Sequence, residues 1–227
     1  TKASAFNDDR EPGTETWTSP YFEIAWAGDS LVQSPVVDRA FGPERYGTAA
    51  ELAIENFDPG VDTVYIASGV NFPDALSGGA LAGVEGAPIL LVKPDTVPAS
   101  TRMALQTLAP QNIVILGGPE AIEGDVATVL SEYGDVSRLA GEQRYGTSVA
   151  ISQEFAQPGT DLVFLATGEA YADALTASAV GGVEGAPVLL TKKGFIPAEV
   201  KAELARLNPG KIVVLGETEA VANAVAE

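Results

Sequence analysis

Two arginines are the residues in this chain whose type and spacing most suggest chemistry. Arg45 stands in Arg45-Tyr46-Gly47-Thr48 and Arg144 in Arg144-Tyr145-Gly146-Thr147, 99 positions apart (144 − 45). A guanidinium offers planar, two-pronged hydrogen bonding to a carboxylate or phosphate. Only 13 of 227 residues are Lys or Arg, against 31 Asp or Glu, so a repeated Arg is expected to contact an anion, with Tyr46 and Tyr145 shaping the same sites. The competing reading is an internal ion pair with Asp74 or Asp173, carboxylates that recur at the same offset. Thr48 followed by Glu51 reads as a capping box opening a helix over residues 48–57. Thr147 repeats the cap, with Ala150 in place of the Glu. The free N–H groups of such helix starts favour anions, although plain capping, without ligand contact, is the favoured reading of both Thr residues.

The other candidates carry less. Gly117 and Gly118 follow an apolar run and precede a helical segment, an arrangement that can hold an anion. The second copy puts Glu217 where the first has Gly118, and a carboxylate there repels a phosphate. There is no G-x-G-x-x-G, no G-x-x-x-x-G-K-[ST] and no G-x-S-x-G. The chain contains neither His nor Cys. That removes Ser-His-Asp chemistry, thiol catalysis, disulfides and the usual zinc ligand sets. Asp74 and Asp173 have no acid or base partner fixed beside them in sequence, and capping of the helices they open is their plain structural reading.

The offset that duplicates the arginines runs on without a gap. It carries Ala67-Ser68-Gly69 onto Ala166-Thr167-Gly168, Asp74-Ala75-Leu76 onto Asp173-Ala174-Leu175, and Ala87-Pro88 onto Ala186-Pro187. A period of 99 residues exceeds the roughly 20 to 50 of solenoid repeats, so each copy is a domain-sized module. Residues 35–133 form the first module, residues 134–227 the second, and residues 1–34 an N-terminal extension. Within each module short apolar runs (64–67, 88–91 and 113–116; 163–166, 187–190 and 212–215) alternate with helical segments, some opening after Pro98 and Pro197. That order predicts an α/β fold: two tandem Rossmann-like modules, each a parallel sheet flanked by helices. In the extension, polar residues 7–13 have nothing to bury. Phe22, Ile24 and Trp26 alternate as a half-buried strand, with residues 31–37 as the expected return strand of a hairpin.

A formal charge of −18 repels nucleic acid and anionic lipid and excludes both as general partners. With 46% hydrophobic residues and mean hydropathy +0.14 the chain is globular, and no apolar run approaches a membrane span. The N-terminus lacks a signal pattern, so an exported form would already have lost its signal.

Arg-x-x-Gly-x-x-Arg-Tyr-x-Thr, Ala-[Ser/Thr]-Gly-x-x-[Phe/Tyr]-x-Asp-Ala-Leu, Ala-Pro-x-Leu-Leu and Leu-Gly-Gly, in this order and twice, resemble the cell wall binding repeat 2 family. The resemblance covers residue 35 to the end. It implies Rossmann-like modules by which secreted bacterial surface proteins attach non-covalently to an anionic secondary cell-wall polymer, without catalysis and without a cofactor. It carries a ligand-binding role onto Arg45, Tyr46, Thr48 and Asp74 and onto Arg144, Tyr145, Thr147 and Asp173. Two departures stand out: the family commonly packs three modules about a pseudo-threefold axis where two are complete here, and Glu217 replaces the second Gly of Leu-Gly-Gly. A chain of charge −18 needs local Arg clusters or a bridging divalent cation to hold an anionic polymer. Two other readings stay open: a surface-layer or adhesion protein whose modules pack with neighbouring subunits, and an enzyme on a sugar or nucleotide substrate.

Overall fold

The computed structural model describes residues 14–18, 23–27, 40–169 and 172–226. The N-terminal unit contains an antiparallel pair, β1 (Thr14–Thr18) with β2 (Glu23–Ala27), in which Trp17 lies opposite Ile24 and Glu15 opposite Trp26. The alternation around Trp26 thus marks a strand, but its partner precedes it in the chain. The return strand expected at 31–37, like the polar stretch 7–13, lies outside the described residues.

The first module runs α1 (Glu44–Asn56), β3 (Thr63–Ser68), α2 (Pro73–Glu85), β4 (Ile89–Val92), α3 (Ala99–Leu108), β5 (Asn112–Leu116), α4 (Gly124–Leu130) and β6 (Asp135–Leu139). Its sheet has the order β4-β3-β5-β6, parallel throughout. The second runs α5 (Gln143–Phe155), β7 (Leu162–Thr167), α6 (Ala172–Glu184), β8 (Val188–Thr191), α7 (Ala198–Leu207), β9 (Lys211–Val214) and α8 (Asn223–Ala226), with sheet order β8-β7-β9. The shared strands therefore follow one topology. The strand β6 falls in the residues that the repeat allots to the second module, yet it hydrogen-bonds to β5 and completes the first sheet.

Strands covered by helices on both faces need continuous apolar runs. Val64, Ile66, Leu90, Ile113 and Ile115 accordingly lie in one core with Leu105 and Leu108 of α3 and Ile122. Each such side chain, fully buried, contributes roughly 1.5 to 3 kcal/mol. Pro98 and Pro197 stand at the N-caps of α3 and α7, where a missing N–H costs nothing.

Two capping expectations need correction. The helix α1 starts at Glu44, so Thr48 is its fifth residue, and its hydroxyl donates back to the Glu44 carbonyl at 3.3 Å instead of capping. Thr147 does the same to Gln143 at 3.1 Å. The cause is the turn ahead of them. The Gly47 N–H bonds to the Pro43 carbonyl and the Gly146 N–H to the Glu142 carbonyl, which starts each helix before its Arg-Tyr pair. Nor does Asp74 cap α2: Phe72 holds the cap position, and Asp74 is buried in the first turn.

The modules interlock head to tail. Leu76 and Ala80 of α2 reach into the second module's core, among Tyr145, Val163 and Leu189. In return Ile151 of α5 lies with Tyr65, Leu81 and Leu116 of the first. The faces are unlike, and residues at the matched positions show it. Leu76 is 5% exposed where its counterpart Leu175 is 58% exposed; Ile151 is 1% exposed where Leu52 is 48% exposed. Between the modules α2 and α6 approach so closely that a Cβ on Gly83 would stand 2.7 Å from the Gly182 Cα, a contact only glycine permits.

Candidate functional site: two matched clefts

At the C-terminal ends of the parallel strands, where open α/β sheets bind ligands, each module has a cleft. The first, of about 490 Å³, is lined by Glu44, Arg45, Tyr46, Gly69, Val70 and Lys93. The second, of about 220 Å³, is lined by Glu142, Gln143, Tyr145, Lys192, Phe195, Pro197, Ala198 and Glu199.

Local sequence builds the shared base. Gly42 and Gly47 face each other so closely that a Cβ on Gly42 would lie 2.6 Å from the Gly47 Cα, and Gly141 and Gly146 repeat the approach. This contact forces the chain into the helix by a left-handed residue, Glu44 at φ 56° and Gln143 at φ 55°. A non-glycine residue held there costs roughly 1 kcal/mol or more, and both copies accept the cost at a cleft wall. The tyrosine next to each Arg is buried beneath a lysine: Lys93 Nζ lies 5.6 Å from the Tyr46 ring centroid and Lys192 Nζ 5.7 Å from that of Tyr145. Burial raises the Tyr145 hydroxyl above its ordinary range, the Glu169 charge adds to the rise, and Arg144 opposes it.

These lysines were not among the residues singled out by sequence reasoning. The signal was present, since each directly follows the second strand of its module at the same offset, Val92-Lys93 and Thr191-Lys192.

The structure places the other sequence candidates unevenly. Arg45 lines its cleft and donates from Nη1 to the Gly69 carbonyl at 2.6 Å. Arg144 makes the matched bond to the Gly168 carbonyl, but its charge is felt by Asp74 of the first module. Asp74 sits between modules with its Oδ1 buried and without a hydrogen-bond partner among the described residues. Burial pushes its pKa up to about 6, against the pull of Arg144. Asp173 occupies the matched position in α6, and its side chain is outside what is described. The Gly117-Gly118 loop is turned inward. Its Gly117 N–H is taken by the Leu139 carbonyl at 2.9 Å, Arg138 donates to the Gly117 carbonyl at 2.6 Å, and the carboxylates of Asp74 and Glu120 lie beside it. No group of three Asp or Glu side chains close enough to share a metal ion occurs among the described residues.

Two clefts repeated on one Rossmann-like scaffold can be set against known families. Residues 39–127 and 138–226 each match the family of cell wall binding domain 2. The chain belongs to that family. It is 33% identical over 198 residues to the amidase enhancer of Bacillus subtilis (strain 168), covering 87% of this chain and 26% of that protein. To the N-acetylmuramoyl-L-alanine amidase LytC of the same strain it is 28% identical over 190 residues, 83% of this chain and 38% of the amidase. It thus spans well under half of either relative. Among solved structures, Cwp6 from Clostridium difficile superposes with a TM-score of 0.77 at 20% identity, over 94% of this chain and 39% of that one. Cwp8 from the same organism gives 0.76 at 23% identity, over 96% and 41%. Those two likenesses establish the fold, tandem parallel-sheet modules flanked by helices. Membership makes the chain a pair of cell-wall-binding modules, and among the described residues no helix is long and apolar enough to cross a membrane.

Proposed function

We propose that the chain is a non-catalytic anchor that holds a secreted surface protein to an anionic secondary polymer of the cell wall. The observation that carries this reading is the recurrence, in a chain of charge −18, of one cation-over-tyrosine arrangement in two clefts. Long-range attraction to a polyanion is absent at that charge, so binding rests on the few cations within about a Debye length of the ligand. Lys93 and Arg45 supply them in the first cleft, Lys192 in the second. A divalent cation remains a candidate bridge that protein and ligand would hold jointly.

Two sites on one body also suit a repeating ligand, because binding at one raises the effective concentration at the other. Anchoring by this route would hold the protein at the cell wall or surface. Sedimentation with purified walls before and after extraction of their anionic polymers tests the reading. Walls should carry the protein down before extraction and not after. Equal sedimentation with extracted walls would refute the anionic ligand.

A further inference from the structure

The clefts match at their base and differ at their rim. At the position where the first module has Thr96, the second has Phe195, 55% exposed and lining its cleft. The ring is presented by a fixed loop. The hydroxyl of buried Thr191 faces the carbonyls of Phe195 at 3.1 Å and Lys192 at 3.3 Å, which holds the turn between them. Lys192 Nζ stands 5.0 Å from the Phe195 ring centroid, so one ammonium lies near both that ring and Tyr145. Across the same cleft are Glu142, Gln143 and Glu199, which are acceptors and donors for hydroxyl groups.

These groups fit one ligand chemistry. A flat apolar face, a single cation and several neutral or acidic hydrogen-bonding groups suit a pyranose ring with an acidic substituent. They suit a bare phosphate chain poorly, because two carboxylates would face it with one lysine. The first cleft, with Arg45 and Lys93 and no exposed ring, has the opposite balance. Building on the polymer-binding reading above, we propose that the second cleft is an acidic-sugar subsite. Phe195 stacks on the C–H face of the sugar, Lys192 takes its charged group, and Glu142, Gln143 and Glu199 bind its hydroxyls.

The test uses the whole chain with two probes: polygalacturonate, which has charge and pyranose rings, and inorganic polyphosphate, which has charge alone. Phe195→Thr installs the first module's own residue at an exposed position, so an unchanged melting curve is expected. It should weaken polygalacturonate binding by about tenfold, the scale of a lost stacking contact, and leave polyphosphate binding unchanged. Saturation-transfer NMR should show magnetisation passing from protein aromatic protons to the pyranose ring protons, lost in F195T. Unchanged polygalacturonate binding in F195T overturns the subsite, and so does wall binding by a wild-type protein without affinity for polygalacturonate. Failure of the wild type to sediment with intact walls is a different result, and it refutes the anchoring function itself.

Discussion

Replacing Asp74 by Asn should stabilise the protein at neutral pH and not in acid. The carboxyl is buried between modules, has an oxygen without a partner, and titrates at about 6 instead of the ordinary 3.8, chiefly through burial. At about 1.4 kcal/mol per pH unit, that difference makes the ionised form about 3 kcal/mol costlier in the folded than in the unfolded chain. The sign follows from proton binding. Between 3.8 and about 6 the folded state holds the proton that the unfolded state has released, so stability falls as pH rises through this window. The amide keeps the size and removes the charge. Urea unfolding at about pH 8 should therefore favour Asp74→Asn by up to about 3 kcal/mol, and the difference should vanish below about pH 3. A variant less stable than wild type at the higher pH, or a difference that does not change with pH, would refute the argument; the first result would mean that Arg144 attracts the carboxylate more than burial penalises it.

Matched residues supply their own controls. Leu76→Ala and Ile151→Ala should each cost roughly 2 to 5 kcal/mol, while Leu175→Ala and Leu52→Ala at the exposed counterparts should stay within about 0.5 kcal/mol in the same melts. In α7, Glu203 is buried and receives Nε and Nη2 of Arg206, both at 2.7 Å, and Ser152 Oγ at 2.6 Å. Burial raises that carboxyl, but the hydrogen bonds from Arg206, Ser152 and Gln153 outweigh it and hold it below its usual range. Arg206→Ala should accordingly destabilise by roughly 3 to 5 kcal/mol in denaturant unfolding, since it strips a buried carboxylate of its main partner. Lys93→Met with Lys192→Met should abolish wall sedimentation while leaving the melting temperature near wild type; retained sedimentation would remove both lysines from the site. Arg45→Ala should weaken wall binding by roughly 1.5 to 3 kcal/mol, the scale of a charge-assisted contact. Arg144→Ala should instead shift the pH dependence of unfolding, because Asp74 feels its charge.

The sequence makes the periodic part of this molecule readable. Strands such as Val64 to Ala67 and the stripe of Val200, Leu204 and Leu207 are set by local pattern, and the structure has them in β3 and α7. The helix starts were misjudged because the deciding contact, Gly42 against Gly47, is a backbone approach that no side-chain pattern announces. The lysines escaped notice for a similar reason: one residue after a strand carries no motif until the neighbouring helix brings a tyrosine under it. Duplication also suggested equivalence, whereas packing makes Arg45 a cleft residue and turns the charge of Arg144 toward Asp74. Only the contact between modules could separate them.

The second sheet ends differently from the first. Among the described residues β9 pairs only with β7, and Ile212 is 44% exposed where its counterpart Ile113, flanked by β6, is fully buried. In the first sheet the cover comes from β6, whose Val136 stands beside Ile113 in parallel register. The strand β9 is only four residues long and opens with exposed Lys211, and both features oppose edge-to-edge growth. A strand set beside β9 as β6 is set beside β5 should therefore bury Ile212, and hydrogen-exchange protection of residues 211–214 would report such a pairing.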